Sequence, residues 1–386
     1  MPHWPEQALG ACLVLVVLLD VFLTVLYARI GTGIIGGRLA RLTWRLLLGL
    51  AKFSGPRSSA TVLSFCGPVI LVLLVLAWAL VLTIGAGLVM HPMLSTSIRA
   101  SGGGDTPTDF VAALYAGGSS MALVGASDFT PHTSAARLLF LFNSLVGASV
   151  ISLTLSYLVQ VYAALQQRNT LGLKIHFLAS GTGDAAELIA GLGPRGEFSS
   201  GYTNLADLAV EMTDAAEAHH FYSALFYFRF RDVRYSVSRI SLVALDTVTL
   251  IESALDDERY GWLKETASVT QLRHVSMLLV KTLEATFLPG GVPEASGPPD
   301  ARAQERWRRR YSAALRRLRQ AGIRTVADEQ AGAEAYVLLR AGWDRYVAAL
   351  APSMAYEMDD IDPAGSAAEP AERQRHAIRG RLHPIG

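Results

Sequence analysis

The sequence predicts an all-α membrane protein, with three transmembrane helices followed by a mostly helical cytosolic C-terminal domain. Three observations carry this reading. Hydrophobic residues make up 51% of the 386 and mean hydropathy is +0.32. That apolar content is concentrated at 8–28, 61–90 and 135–165, each about as long as the ~20 residues a helix needs to span the hydrocarbon core. Residues 29–60 carry Arg29, Arg38, Arg41, Arg45, Lys52 and Arg57 and no acid, which holds that loop at the cytoplasmic face. Beyond 168 charged residues become frequent, and apolar positions recur at helical rather than strand spacing. The expected location is the plasma membrane, multi-pass, with the N-terminus outside and the C-terminus cytosolic. A net charge of +1 argues against nucleic acid as a partner; membrane lipids are the expected one.

Along the chain, residues 1–60 read as a transmembrane helix followed by a basic interfacial helix. Met1 to Gln7 has no Lys or Arg, so the first run reads as a retained helix and not as a signal peptide. Asp20 interrupts it. An acid at membrane depth is costly and points to a functional partner, to a protonated Asp hydrogen-bonded to a neighbouring helix, or to a place near the polar edge. In the basic loop, Ile34, Ile35, Leu39, Leu42, Trp44, Leu46, Leu47 and Leu50 alternate with the cations, as in a helix lying in the interface. Cys12 and Cys66 both fall in apolar runs and form neither a disulfide framework nor a metal spacing.

The second run, 61–90, ends at His91-Pro92. A Ser/Thr/Gly/Pro-rich loop follows to Pro107. Thr108 is the expected N-cap of a short helix and Asp109 its first-turn acid. That helix leads into Tyr115-Ala-Gly-Gly-Ser-Ser-Met-Ala-Leu-Val-Gly-Ala-Ser-Asp128, then Pro131, then the third run. Within the third run Ser144, Gly147, Ala148, Ser152 and Ser156 are small and share a helical face, which allows close helix approach.

The order short helix, Gly/Ser turn, Asp, Pro, long helix resembles the pore domain of the two-transmembrane potassium-channel family. Tyr115 to Asp128 follows that family's run without a gap, and Gly118, Val124, Gly125, Asp128 and Pro131 match it. The resemblance covers roughly 61–165. It implies an ion-channel pore domain over 61–168, with a re-entrant pore helix and filter loop, a homotetramer around one pore, and a permeant monovalent cation such as potassium. It makes Leu123, Val124, Gly125, Ala126, Ser127 and Asp128 the selectivity filter and Gly147 the inner-helix hinge. This sequence departs from the family at three of those positions. Leu123 has no hydroxyl to ligate an ion. Ala126 lacks the bracing ring, and Ser127 stands where glycine permits a strained backbone. Two functions are therefore expected: a cation pore with altered or weak potassium selectivity, or a non-conducting channel-fold scaffold or sensor acting through its cytosolic domain.

The remainder divides into a cytosolic helical domain over 169–288, a Gly/Pro-rich linker at 289–302, a basic helical pair at 303–356, and a tail over 357–386 expected to be disordered. Helical periodicity runs over 203–228, 233–256, 258–288, 303–322 and 329–350. Gly181-Thr-Gly-Asp184 imitates a dinucleotide fingerprint, but no acid-terminated second strand follows; Asn204 to Ala209 opens a helix-like run instead. Glu217, His219 and His220 cluster, yet adjacent histidines point apart on a helix. Arg302, Arg306, Arg308, Arg309, Arg310, Arg316, Arg317, Arg319 and Arg324 lie opposite Trp307, Tyr311, Leu315 and Leu318. That pattern fits a solvated helix packed on the bundle, or one docked on lipid headgroups. No arrangement of nucleophile and base stands out, so neither an enzyme, a metal site nor a resident cofactor is expected.

Overall fold

The computed structural model describes residues 4–27, 33–53, 56–122, 128–288, 291 and 299–363. The chain falls into two units: Met1–Ala163 with Tyr222–Ala224, and Ala164–Phe221 with Leu225–Gly386.

The first unit begins with α1 (Trp4–Val21), which continues through one π-helical turn, Phe22–Leu26. Then come α2 (Gly36–Phe53), α3 (Pro56–Ser64) and α4 (Cys66–Met90). A short strand β1 (Ile98–Ala100) precedes α5 (Phe110–Met121); β2 (Phe129–Pro131) precedes α6 (Ser134–Leu178). Three stretches are long and apolar enough to cross a membrane: Trp4–Leu26, Ser58–Met93 and Ser134–Leu178. The third expected span ends near 165, whereas the helix runs on to Leu178. Gln160, Gln166, Gln167 and Arg168 are good helix formers. The stop comes where Ser180 and Gly181 take left-handed backbone, φ 53° and 79°.

Glycine sets the packing of α1 on α4. A Cβ at Gly10 would lie 2.5 Å from the Gly85 carbonyl oxygen, and one at Gly85 2.9 Å from that of Gly10. Backbones in this contact leave no room for a side chain. At the same end, Glu6 Oε1 meets His91 Nδ1 at 2.6 Å and the Gln7 amide donates to the Val89 carbonyl. Beside it, β1 and β2 pair antiparallel with Arg99 opposite Thr130, over a core of Met90, Leu94, Ile98, Ala113, Ala116, Phe129 and Ala136.

The second unit holds the more highly charged part of the sequence. It comprises α7 (Ala185–Leu192), α8 (Ser199–Phe221), α9 (Val237–Ala254), α10 (Asp257–Lys264), α11 (Ala267–Phe287), α12 (Ala301–Gln320), α13 (Glu329–Ala341), α14 (Asp344–Ser353) and α15 (Met358–Ile361), after the C-terminal part of α6. α9 is its axis: sixteen of its residues are buried, with α7, α11, α12, α13 and α14 packed around it. The periodic segment 258–288 is two helices, broken before Ala267, and 329–350 is two, broken at Gly342-Trp343. The segment from 357 on, expected without structure, starts with α15, and Ile361 is fully buried; residues 364–386 lie outside the described residues.

α12 packs on the bundle by its Trp307, Tyr311, Leu315 and Leu318 stripe, and Arg302, Arg306, Arg308, Arg309 and Arg316 face outward. Arg310 is the exception, buried on the inner face. It donates to Asp184 Oδ1 and Asp246 Oδ2, both at 2.8 Å. Asp246 also accepts from the Tyr336 hydroxyl at 2.6 Å and from Arg340 at 3.3 Å. Arg340 reaches Asp344 and Asp362 as well. Burial disfavours the Arg310 charge, but Asp184 and Asp246 outweigh it and hold its pKa well above the ordinary value. Burial would likewise raise Asp184, yet Arg310 pulls it below the usual range. The polar cluster thus joins α7, α9, α12, α13, α14 and the chain beyond α15 with its hydrogen bonds largely satisfied.

Candidate functional site

The site expected from the sequence centres on α5. Its N-cap is Asp109, whose carboxylate accepts the Ala112 amide at 2.9 Å; the expected cap, Thr108, lies one residue too early. The Thr108 carbonyl instead takes the ring Nε2 of His91 at 3.2 Å. This ties the start of α5 to the end of α4. Small residues let α5 sink between its neighbours: Ala113, Ala116, Gly117 and Ser120 are buried. A Cβ at Gly117 would come 2.6 Å from the Gly87 nitrogen on α4.

On the other side, α5 meets α6. The Asn143 amide donates to Ser120 Oγ at 2.9 Å, and Ser120 donates to the Gly117 carbonyl. One turn further along α6, a Cβ at Gly147 would stand 2.0 Å from the Met121 carbonyl oxygen. Gly147 therefore has a packing reason independent of bending, and α6 is helical straight through it. The small face predicted on α6 divides: Gly147 is buried, while Ser152 and Ser156 are exposed in the single chain. The stripe that packs inward is Asn143, Val146, Gly147, Val150, Thr154 and Tyr157. Asn143 was not singled out from sequence; the signal was there, a lone side-chain amide in a strongly apolar run.

Of the six expected filter residues, Leu123, Val124, Gly125, Ala126 and Ser127 lie outside the described residues. The segment's two ends are placed. Ala122 closes α5 by donating to the Gly118 carbonyl. Asp128 has an exposed side chain, and its carbonyl accepts the Ser101 amide at 2.7 Å. A cavity of about 380 Å³ opens beside the end of α5, lined by Trp78, Thr83, Met121, Gly147, Ile151 and Thr154 among others. Its walls are almost wholly apolar.

Asp20, the expected intramembrane acid, is fully buried. Its Oδ2 accepts the Trp78 indole N–H at 2.7 Å. Its Oδ1 accepts the backbone amides of Ile34 at 2.5 Å and Ile35 at 2.9 Å. These amides open α2, so the acid caps that helix from another one and meets the positive end of its dipole. All three partners are donors, which is what a carboxylate requires. Asp20 is thus hydrogen-bonded to Trp78 on a neighbouring helix, one feature of the readings the sequence allowed. Gly33 makes the approach possible: a Cβ there would lie 2.9 Å from Thr24 Oγ1. Trp78 thus links the acid on one side to the cavity wall on the other.

In the second unit, Gly181-Thr-Gly-Asp184 is the turn between α6 and α7. Gly183 takes φ 68° and Asp184 caps α7 through the Ala186 amide. Leu173 to Leu178, which a nucleotide site would need as a strand, is helix. His219 is buried, its Nδ1–H donating to the Ala215 carbonyl at 2.8 Å; His220 is half-exposed. No cluster of three metal-ligating side chains occurs among the described residues. Arg168, buried near the end of α6, donates to the carbonyls of Leu225 and Phe228, each at 3.0 Å.

No family model matches the chain, and comparison with curated proteins and with solved structures found no similar one.

Proposed function

We propose that this chain is one subunit of a membrane pore of potassium-channel-like architecture, a homotetrameric cation pore with altered or weak potassium selectivity. One observation carries the reading: a short, capped helix, α5, is wedged between two membrane-length helices by glycine contacts on both sides, with the Leu123–Asp128 segment leaving its C-terminal end. That end carries the negative pole of the helix, which favours a cation nearby. One chain supplies a single such helix and loop, so a closed pore needs copies related by symmetry. The placement of the N-terminus outside and the C-terminus in the cytosol is part of the proposal. It is supported by Glu6, His91 and the start of α5 meeting at one end of α4, opposite the basic α2.

The residues Leu123, Ala126 and Ser127 favour a second reading, a non-conducting scaffold or sensor that acts through the helical second unit. Native mass spectrometry of the full chain and single-channel recording in bilayers separate the two. A tetramer with cation currents supports the pore; a tetramer without current, still silent after Leu123→Thr with Ser127→Gly, supports the scaffold. A monomer as the sole species refutes both the pore and its filter.

A further inference from the structure

We infer that α2 is a docking helix for anionic phospholipid headgroups. Its residues sort into three faces. Ala40, Thr43 and Ala51 are buried against the protein. Leu42, Leu46, Leu50 and Phe53 form an exposed apolar stripe, 56%, 60%, 58% and 93% accessible. Arg38, Arg41, Arg45 and Lys52, all exposed, form a separate stripe roughly a quarter-turn round the helix. A helix backed by protein, with an apolar and a cationic stripe side by side, suits the boundary between acyl chains and headgroups.

Charge selects the headgroup. Residues 21–104 contain no Asp or Glu. Of the first unit's five acids, Asp20 is consumed by Trp78, Ile34 and Ile35, Glu6 is held by His91 and Asp109 caps α5, while Asp105 and Asp128 are exposed and form no ion pair with α2 among the described residues. Among the described residues no ion pair joins the four cations of α2 to an acid; Arg38 reaches only the Ile34 carbonyl of its own helix start. No described acid neutralises them, and a lipid phosphate is the anion at that depth. The Asp20 cap fixes where α2 begins, so the cationic stripe is held at a set place against α4's side of the unit. The inference rests on the membrane reading of the first unit and not on conduction.

The test is native mass spectrometry of the full chain released from bilayer discs of equimolar phosphatidylglycerol and phosphatidylcholine. The wild-type chain should retain phosphatidylglycerol about fivefold or more over phosphatidylcholine, in line with several lipid-facing cations acting together. Replacing Arg38, Arg41, Arg45 and Lys52 by Gln should return the ratio to that of the disc, while replacing the three arginines by Lys should keep it. A second measurement leaves the four cations intact. Gly49 faces open space, so an environment-sensitive dye on Gly49→Cys, with Cys12 and Cys66 replaced by Ser, should shift as phosphatidylglycerol is titrated in and shift back in high salt. Equal retention of both lipids by the wild-type chain, or a dye blind to lipid charge, overturns the inference. The subunit count in the same spectra reports on the pore reading separately.

Discussion

Acidification should destabilise the second unit through His219, by an amount the structure sets. Burial comes first among the causes and the nearby Arg168 charge second; together they push the His219 pKa down to about 4. The ring's Nδ1–H is committed to Ala215, and its Nε2 has no hydrogen-bond partner among the described residues. Protonation would therefore place a second buried cation beside Arg168. The sign follows from proton counting. Above the unfolded value of about 6.5 neither state binds the proton, and stability is unaffected. Between about 6.5 and 4 the unfolded chain binds it and the folded chain does not, so stability is lost as the pH is lowered. From pH 6.5 to 5 the loss is about 2 kcal/mol, at 1.36 kcal/mol per unit. For a unit of this size that corresponds to roughly 4–8 °C in melting temperature. The assay is thermal unfolding of the full chain in detergent at pH 7.5, 6.5 and 5, for wild type and His219→Gln. The glutamine can still donate to Ala215 and does not titrate. The drop specific to wild type is the predicted quantity. An equal drop in the variant would refute the argument and place the acid sensitivity elsewhere.

Asp246→Asn should lower the melting temperature by about 10 °C, because two buried arginines then lose their shared carboxylate at ~3–5 kcal/mol; a shift under about 2 °C would show that the remaining acids suffice. Two helical glycines should respond with opposite signs. Gly147→Ala drives a methyl into the Met121 carbonyl and should cost ~1–3 kcal/mol, whereas Gly49→Ala meets nothing and should gain ~0.5–1 kcal/mol, both read as shifts in detergent melting. Trp78→Phe removes one donor from Asp20 and should cost ~1–3 kcal/mol; an unchanged melting temperature would mean that the α2 amides alone satisfy the acid.

The long elements were legible because their physics is one-dimensional. Three apolar runs of spanning length and a basic loop between the first two need no tertiary information. So were the buried face of α12 and the failure of the Gly181–Asp184 fingerprint. What the sequence withheld depends on residues meeting across distance. Asp20 reads as an anomaly until Trp78 and the amides of Ile34 and Ile35 surround it. Arg310 reads as one more cation of a basic helix, although the fold buries it between Asp184 and Asp246. Gly147 was read both as a hinge and as a small residue allowing close approach, but the partner of that approach, the Met121 carbonyl on a different helix, could not be named from the sequence.

The Asp20 junction also bears on how the chain is made. Its amide partners arrive 14 and 15 residues later in the sequence, and its indole partner 58 residues later. On the membrane reading, a growing chain delivers α1 to the bilayer long before α4 exists. The start of α2 can cover the carboxylate in that interval, so the acid need not wait bare in hydrocarbon. Trp78 then completes a junction already begun, and the order of synthesis matches the order in which the acid's needs are met.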